Sequence, residues 1–363
     1  MIESIVAPIR IALDAMGGDD APRIVVNGAA IAQVRYPQAE FIFTGDEAAI
    51  APLVEKHKSL RGRVKIIHTS ERVLADDKPA QALRGGRQTS MRLAINAVAE
   101  GTADAVVSAG NTGALMAMAK FVLKMLPGID RPAITTFFPT LKGETVMLDL
   151  GANTECTPEN LVDFAVMGAL FANTVLGVHN PRIGLLNVGS EENKGHEEIR
   201  IAAQELRALE LPGQFIGYVE GDDITNGSVD VVVTDGFTGN VALKTAEGTA
   251  KMYTEFLRRT FKSSWLARIG YLFASTAFKK LRKRLDPRTY NGAMLVGLRG
   301  VCIKSHGGTD AIGFANAIGV AYDLVKYKFN DQMSARVQLL HEKLQALPPE
   351  IKTAPIVDPV IAA

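Results

Sequence analysis

Cysteine is scarce in this chain: Cys156 and Cys302 are the only two in 363 residues, far apart and without CxxC spacing. That argues against a disulfide framework and for reduced thiols in a cytoplasmic setting. Histidine is nearly as thin, with six scattered copies. His196-Glu197-Glu198-Ile199-Arg200 lacks the second histidine of HExxH, so no metal site is expected. Neither GxGxxG nor GxxxxGK[ST] occurs, which removes two familiar nucleotide loops. Charge is balanced, 40 Lys/Arg against 39 Asp/Glu, so no global field draws the chain to nucleic acid or a membrane. Met1 to Arg10 has no basic start followed by an apolar run, and no secretion signal is expected. The most apolar long stretch, Leu161–Val178, contains Asp163 and Asn173 and reads as a buried core helix.

What is present is alternation. Short β-rich runs stand at Arg10–Asp14, Glu40–Thr44, Val64–His68, Asp104–Ser108, Thr145–Asp149, Arg182–Asn187, Phe215–Val219 and Asp230–Thr234. Helical patterns at Ile24–Val34, Asp46–His57, Arg84–Ala99, Ala114–Leu126, Pro158–Leu176 and Glu197–Leu209 separate most of them. Largely apolar strands alternating with helices predict an α/β protein with a mostly parallel sheet covered on both faces. The expected organisation is one domain over 1–346 with a helical insertion at about 250–288, then a proline-rich tail over 347–363.

Ligands in such sheets sit beyond the carboxyl ends of strands, and the corners there are rich in glycine and amides. Asp14 is followed by Gly17 and Gly18, suited to a sharp turn close to a ligand. Ser108-Ala109-Gly110-Asn111-Thr112-Gly113 leads straight into an apolar helix, which makes either an anion site or an ordinary cap. Asp149-Leu150-Gly151-Ala152-Asn153 precedes Cys156, a thiol that is either an acyl-accepting nucleophile or a buried inert group. Asn187-Val188-Gly189-Ser190 runs on to Lys194, a candidate phosphate ligand. Asp235-Gly236-Phe237-Thr238-Gly239-Asn240 offers an amide to an oxyanion or caps a helix. A late segment joins Tyr290-Asn291-Gly292 to Lys304-Ser305-His306-Gly307-Gly308. The expectation is that these corners share one sheet edge and one glycine-lined cleft for anionic oxygen.

In this order the blocks IALDAMGGDDAP, SAGNTGALMA, LDLGANTECTPENL, LLNVGSEENKG, VVVTDGFTGNVALKTAEG and YNGAMLVGLRGVCIKSHGGTDA resemble the phosphate acyltransferase family of bacterial phospholipid synthesis, over Ile11 to about Ala311. The resemblance implies a Rossmann-like α/β/α sandwich akin to the phosphotransacetylases and isocitrate dehydrogenases, a homodimer and no cofactor. It implies transfer of a fatty acyl group from acyl carrier protein to inorganic phosphate, with the acyl phosphate feeding a membrane glycerol-3-phosphate acyltransferase. Phosphate near neutrality is already substantially dianionic, so the need is for positioning and oxyanion donors rather than a strong base. Lys194 and Asn240 are the expected donors. Asp14 and Asp235 are expected to orient them, Asp235 within the catalytic set. Phosphate and substrate contacts are expected from Gly17, Gly18, Ser108, Gly110, Asn111, Thr112, Asn153, Asn187, Ser190, Gly236 and His306.

Between Tyr253 and Tyr290 stand ten Lys/Arg against Glu255 and Asp286. Leu257, Phe261, Trp265, Ile269 and Phe273 recur every four residues there and would line one helical face. Lys279, Lys280, Arg282 and Arg284 are among the cations. This stretch packs on the core or a dimer partner, meets an anionic membrane as a peripheral protein of the inner face, or docks the acidic carrier protein. Nucleic acid is not expected, because the aromatics follow the apolar stripe. Rival functions are a nicotinamide-dependent dehydrogenase, a phosphotransacetylase using a small acyl-CoA, and a non-catalytic membrane scaffold.

Overall fold

The computed structural model describes residues 7–284 and 286–346, except the side chains of 279–284, 287, 340, 341 and 343–346. Eleven strands run in chain order: β1 (Ile9–Asp14), β2 (Ala39–Gly45), β3 (Val64–His68), β4 (Ala105–Ser108), β5 (Ala133–Pro139), β6 (Glu144–Leu148), β7 (Arg182–Leu186), β8 (Gln214–Val219), β9 (Val231–Val233), β10 (Ala293–Val296) and β11 (Val301–Lys304). The helices are α1 (Arg23–Arg35), α2 (Glu47–Glu55), α3 (Pro79–Gly85), α4 (Ser90–Ala99), α5 (Thr112–Leu123), α6 (Pro158–Leu176), α7 (Glu197–Ala208), α8 (Gly221–Asn226), α9 (Gly236–Lys262), α10 (Trp265–Arg284), α11 (Ala311–Lys326) and α12 (Phe329–Ala346).

All strands join one sheet in the order β3-β2-β1-β4-β11-β10-β5-β6-β9-β7-β8. Alternate side chains go to opposite faces, and both faces are covered. Ile11 and Leu13 join a core with Phe164 of α6 and Phe314 of α11, while Ala12 joins one with Ile95 of α4 and Leu115 of α5. Burial on both faces is why the strands read as unbroken apolar runs. The result is the α/β/α sandwich. Helix α6 is long and apolar enough to span a membrane, yet 72% of its apolar window is buried in the protein, as expected of a core helix. Its start is fixed by Thr157, which accepts from Asn160 N, and by Pro158 in the first turn.

Three expectations need correction. The single helix over Arg84–Ala99 is two, because Gly85-Gly86 ends α3 and Thr89 opens α4 by accepting from Arg92 N. Strands β5, β10 and β11 lie outside the predicted set. Two of these reverse the sheet: β10 is antiparallel to both β11 and β5, and β5 is antiparallel to β6. The parallel block β3-β2-β1-β4-β11 therefore runs opposite to β6-β9-β7-β8. The corners do not share one sheet edge. The proline-rich tail over 347–363 lies outside the described residues.

Candidate active site

At the carboxyl end of the first block, Asp14 is buried and accepts from Ser90 Oγ and Ser108 Oγ, each at 2.6 Å. Ser108 Oγ in turn accepts from Gly110 N at 3.0 Å. Burial pushes the Asp14 carboxyl up from its ordinary value, and the two serine bonds pull against it. Gly17 is required by closeness: a Cβ there would stand 2.4 Å from Asp14 Oδ2 and 2.7 Å from Gly110 N. Asp14 thus organises the loops after β1 and β4 from beneath. The β11 corner is tied to them, since Asp19 N donates to Gly307 O and Ser305 N to Ser108 O. His306 sits at its rim, its N donating to Asn291 Oδ1 at 2.9 Å and its Nδ1 accepting from Gly308 N at 3.1 Å.

At the end of the second block a matching buried aspartate does the same work. Asp149 accepts from Ile134 N, Gly151 N, Ala152 N, Asn153 N and Asn153 Nδ2, between 2.7 and 3.2 Å. Burial raises its pKa against those bonds. Gly236 N donates to Asn153 O at 2.6 Å, joining this loop to the first turn of α9. Asp235 caps that turn, accepting from Thr238 N at 2.8 Å and Thr238 Oγ1 at 2.7 Å. Gly239 lets α9 lie directly on the loop, for a Cβ would fall 2.0 Å from Asp149 O. One residue on, Asn240 stands beside Gly151, with an exposed amide that makes no hydrogen bond among the described residues.

Helix α9 connects the two corners. Ala242, Leu243 and Ala246 pack on the core that holds Ala293 and Leu150. Burial first, and then the charge of Lys244 one turn beyond Asn240, disfavours protonation of His306 and Lys304, so Lys244 lies near both. Asn240 and Lys244 thus stand on the helix that runs from the second corner toward the first, at the junction of the opposed blocks.

The expected residues divide accordingly. Asp14, Gly17, Gly18, Ser108, Gly110 and His306 gather at the first corner; Asn153, Asp235, Gly236 and Asn240 gather at the second. The amide of Asn111 is occupied structurally: Oδ1 caps α5 through Ala114 N, and Nδ2 donates to the carbonyls of Ala75 and Asp77 at 3.0 Å each. Thr112 is the exposed first residue of α5. Asn153 Nδ2 is likewise held by Pro132 O at 2.8 Å and Asp149. Neither amide is free to donate to phosphate. Asn187 pins the third loop, giving Nδ2 to Lys194 O at 3.1 Å and accepting from Val188 N at 2.9 Å. Ser190 and Lys194 are exposed on that loop, the lysine stem lying over Gly189, with no bond from its Nζ to Asn240 among the described residues.

Sequence comparison supplies the context for this geometry. The family described as "Fatty acid synthesis protein" matches residues 9–332. The chain is similar to the phosphate acyltransferase of Rhodospirillum centenum, 65% identical over 336 residues, 93% of this chain and 95% of that one. It is similar also to that of Rhodospirillum rubrum, 55% identical over 344 residues, 95% of this chain and 97% of that one. The chain belongs to the phosphate acyltransferase family. Among solved structures it resembles a phosphotransacetylase from Streptococcus pyogenes (TM-score 0.58, 17% identity, 88% of this chain and 94% of that one) and EutD phosphotransacetylase from Staphylococcus aureus (TM-score 0.56, 16% identity, 89% and 94%). At those identities the likeness is one of fold.

In this acyltransferase Cys156 is a poor nucleophile. Burial first, then the charges of Asp149 and Asp235, push its thiol up to about 12, and no histidine bonds it among the described residues. No group of His, Cys, Asp or Glu suited to a metal ion occurs among the described residues. Sequence reading missed Asp149 and Ser90 as organisers, and Lys304 and Lys244 as cations beside the first corner. Asp149 carries the same signal as Asp14, a strand-end aspartate before a glycine turn. Lys304, the last residue of β11, needed that strand to be recognised first.

The acyltransferase's apolar stripe is divided. The chain breaks at Ser263-Ser264, putting Leu257 and Phe261 on α9 and Trp265, Ile269 and Phe273 on α10. Phe261 packs inside the hairpin, 5.5 Å from the Tyr271 ring and 4.9 Å from the Phe278 ring. Leu257 and Ile269 are exposed; Trp265 is 69% and Phe273 88% exposed. The side chains of Lys279, Lys280, Arg282 and Arg284 lie outside the described residues.

Proposed function

We propose that this acyltransferase moves a fatty acyl group from the thioester of acyl carrier protein to inorganic phosphate, giving acyl phosphate for phospholipid synthesis. A phosphate oxygen attacks the thioester carbon, and the carbonyl pair moves to oxygen. Collapse of the tetrahedral oxyanion breaks the C–S bond, and the proton of hydrogen phosphate passes to the departing sulfur. Acyl phosphate and free carrier thiol balance the equation. The observation that carries the reading is the Asn240 amide, exposed beside Gly151 with no hydrogen bond among the described residues, on the turn that Asp235 caps and one turn before Lys244. Such a donor placed where charge develops stabilises the oxyanion. Lys194, exposed on the loop after β7, is the second donor in this reading. Direct attack suits a site whose one nearby thiol is held protonated.

The exposed apolar hairpin distinguishes this reading from a phosphotransacetylase acting on a small soluble acyl-CoA, which would gain nothing from it. In our reading the hairpin rests on the inner face of the membrane and the chain works as a homodimer, which light scattering of the purified protein checks. Incubation with palmitoyl acyl carrier protein tests the function. Thiol release and acyl phosphate that both require phosphate, and that exceed those from acetyl-CoA, are expected; faster reaction with acetyl-CoA would reverse the assignment.

A further inference from the structure

Lys304 has no role in the chemistry above, yet its placement is costly. It ends β11, half-buried, and its Nζ donates to Ala109 O at 3.4 Å and to Ser305 O. Those carbonyls belong to the loops leaving β4 and β11, so the ammonium stands where the two loops face each other. Two neutral carbonyls occupy two of its three hydrogens and do not balance its charge. Asp14, one of the two acids whose charge reaches it, is already held by Ser90 and Ser108 beneath the loops. Asp19 faces the ammonium from the loop after β1, Lys244 from α9, and His306 from its own loop. A half-buried cation left with a spare donor, with Asp19, a second lysine and a histidine around it, suits a small multivalent anion.

We infer that this corner is the seat of inorganic phosphate and that Lys304 is the cation holding it, with Lys244 and His306 at its rim. The inference deepens the proposed function and rests on it for the identity of the anion. Asn111 and Asn153, with their amides bound elsewhere, have no part in the seat. Lys304 binds phosphate while protonated. Burial holds it down to about 8, so its charge is present below that pH and lost as pH rises through it. Phosphate affinity therefore declines on the alkaline side, where free phosphate remains dianionic.

The test is binding of inorganic phosphate to the full chain without acyl donor, read by 31P line width for wild type, Lys304→Met and Lys304→Arg. Lys304→Met is expected to bind at least about tenfold more weakly, with KM for phosphate raised and KM for the acyl donor unchanged. Lys304→Arg keeps the charge and is expected to retain binding at about pH 9.5, where wild type has lost about tenfold relative to about pH 7.5. Equal binding by wild type and Lys304→Met overturns the inference, as does a wild type that binds no phosphate. Should Lys304→Met fail to fold, the wild-type pH series decides, and a flat profile overturns it. Phosphate binding without acyl transfer would sink the proposed function and leave the seat standing; acyl transfer with unchanged Lys304→Met binding would do the reverse.

Discussion

Cys156 and Lys194 make the sharpest contrast among single residues. A thiol pushed up from 9 to about 12 has about a thousandfold less thiolate near neutral pH, so iodoacetamide should label Cys156 about a thousandfold more slowly than an ordinary thiol. Mass spectrometry of timed samples measures this, and rapid labelling would reopen the nucleophile reading. Cys156→Ala should keep most activity, whereas Lys194→Ala should lose about 10²–10³ in kcat, the usual effect of removing one oxyanion donor. The reverse ranking in steady-state assays would overturn the assignment. The residue types at these positions were legible in the sequence; their roles were legible only in part. Asn111 and Asn153 were expected among the phosphate contacts, each carrying an amide on a strand-end loop. Nothing in the chain order shows that Ala75, Asp77 and Pro132 already take it.

Among elements, α9 carries the most consequence. Its first turn holds Asn240 through the Asp235 cap, and Gly239 rests it on Asp149. Asp235→Ala should cost about 1 kcal/mol of stability by thermal melting. Its kcat should fall further than that loss explains, because Asn240 moves with the turn, while Asp235→Ser restores both. Gly239→Ala drives a methyl into Asp149 O and should destabilise by about 1–3 kcal/mol through overpacking. Beyond Gly239, α9 buries no side chain, and neither do the described residues of α10; Phe261 packs within the hairpin, while Phe256, Leu257, Trp265, Leu266, Leu272 and Phe273 are exposed. Anionic vesicles should therefore shift Trp265 emission to the blue, and Phe273→Asp should weaken vesicle sedimentation; an unchanged spectrum counts against insertion. The helical insertion was legible as a basic, amphipathic run, but a period of four residues does not announce the break at Ser263-Ser264. That break moves three of the five stripe residues to a second helix.

For the whole molecule, alternation of strand and helix was enough to read a layered α/β sandwich, and the strand-end corners were enough to mark the loops that Asp14 and Asp149 organise. The reversal was not legible. β5 lies in a stretch with no helix before β6, and β10 and β11 follow the long hairpin, so the rhythm that disclosed the other strands is missing there. Without those strands the corners fall on one edge by default. With them, the blocks run opposite ways and α9 becomes the element that brings Asn240 toward Lys304 and His306. The most direct measurement is a rapid-quench experiment with palmitoyl acyl carrier protein and enzyme in comparable amounts. No thiol should appear before phosphate is added, after which thiol and acyl phosphate should rise together in equal amounts. A burst of thiol equal to the enzyme in the absence of phosphate would mean a covalent acyl-enzyme and would contradict direct transfer.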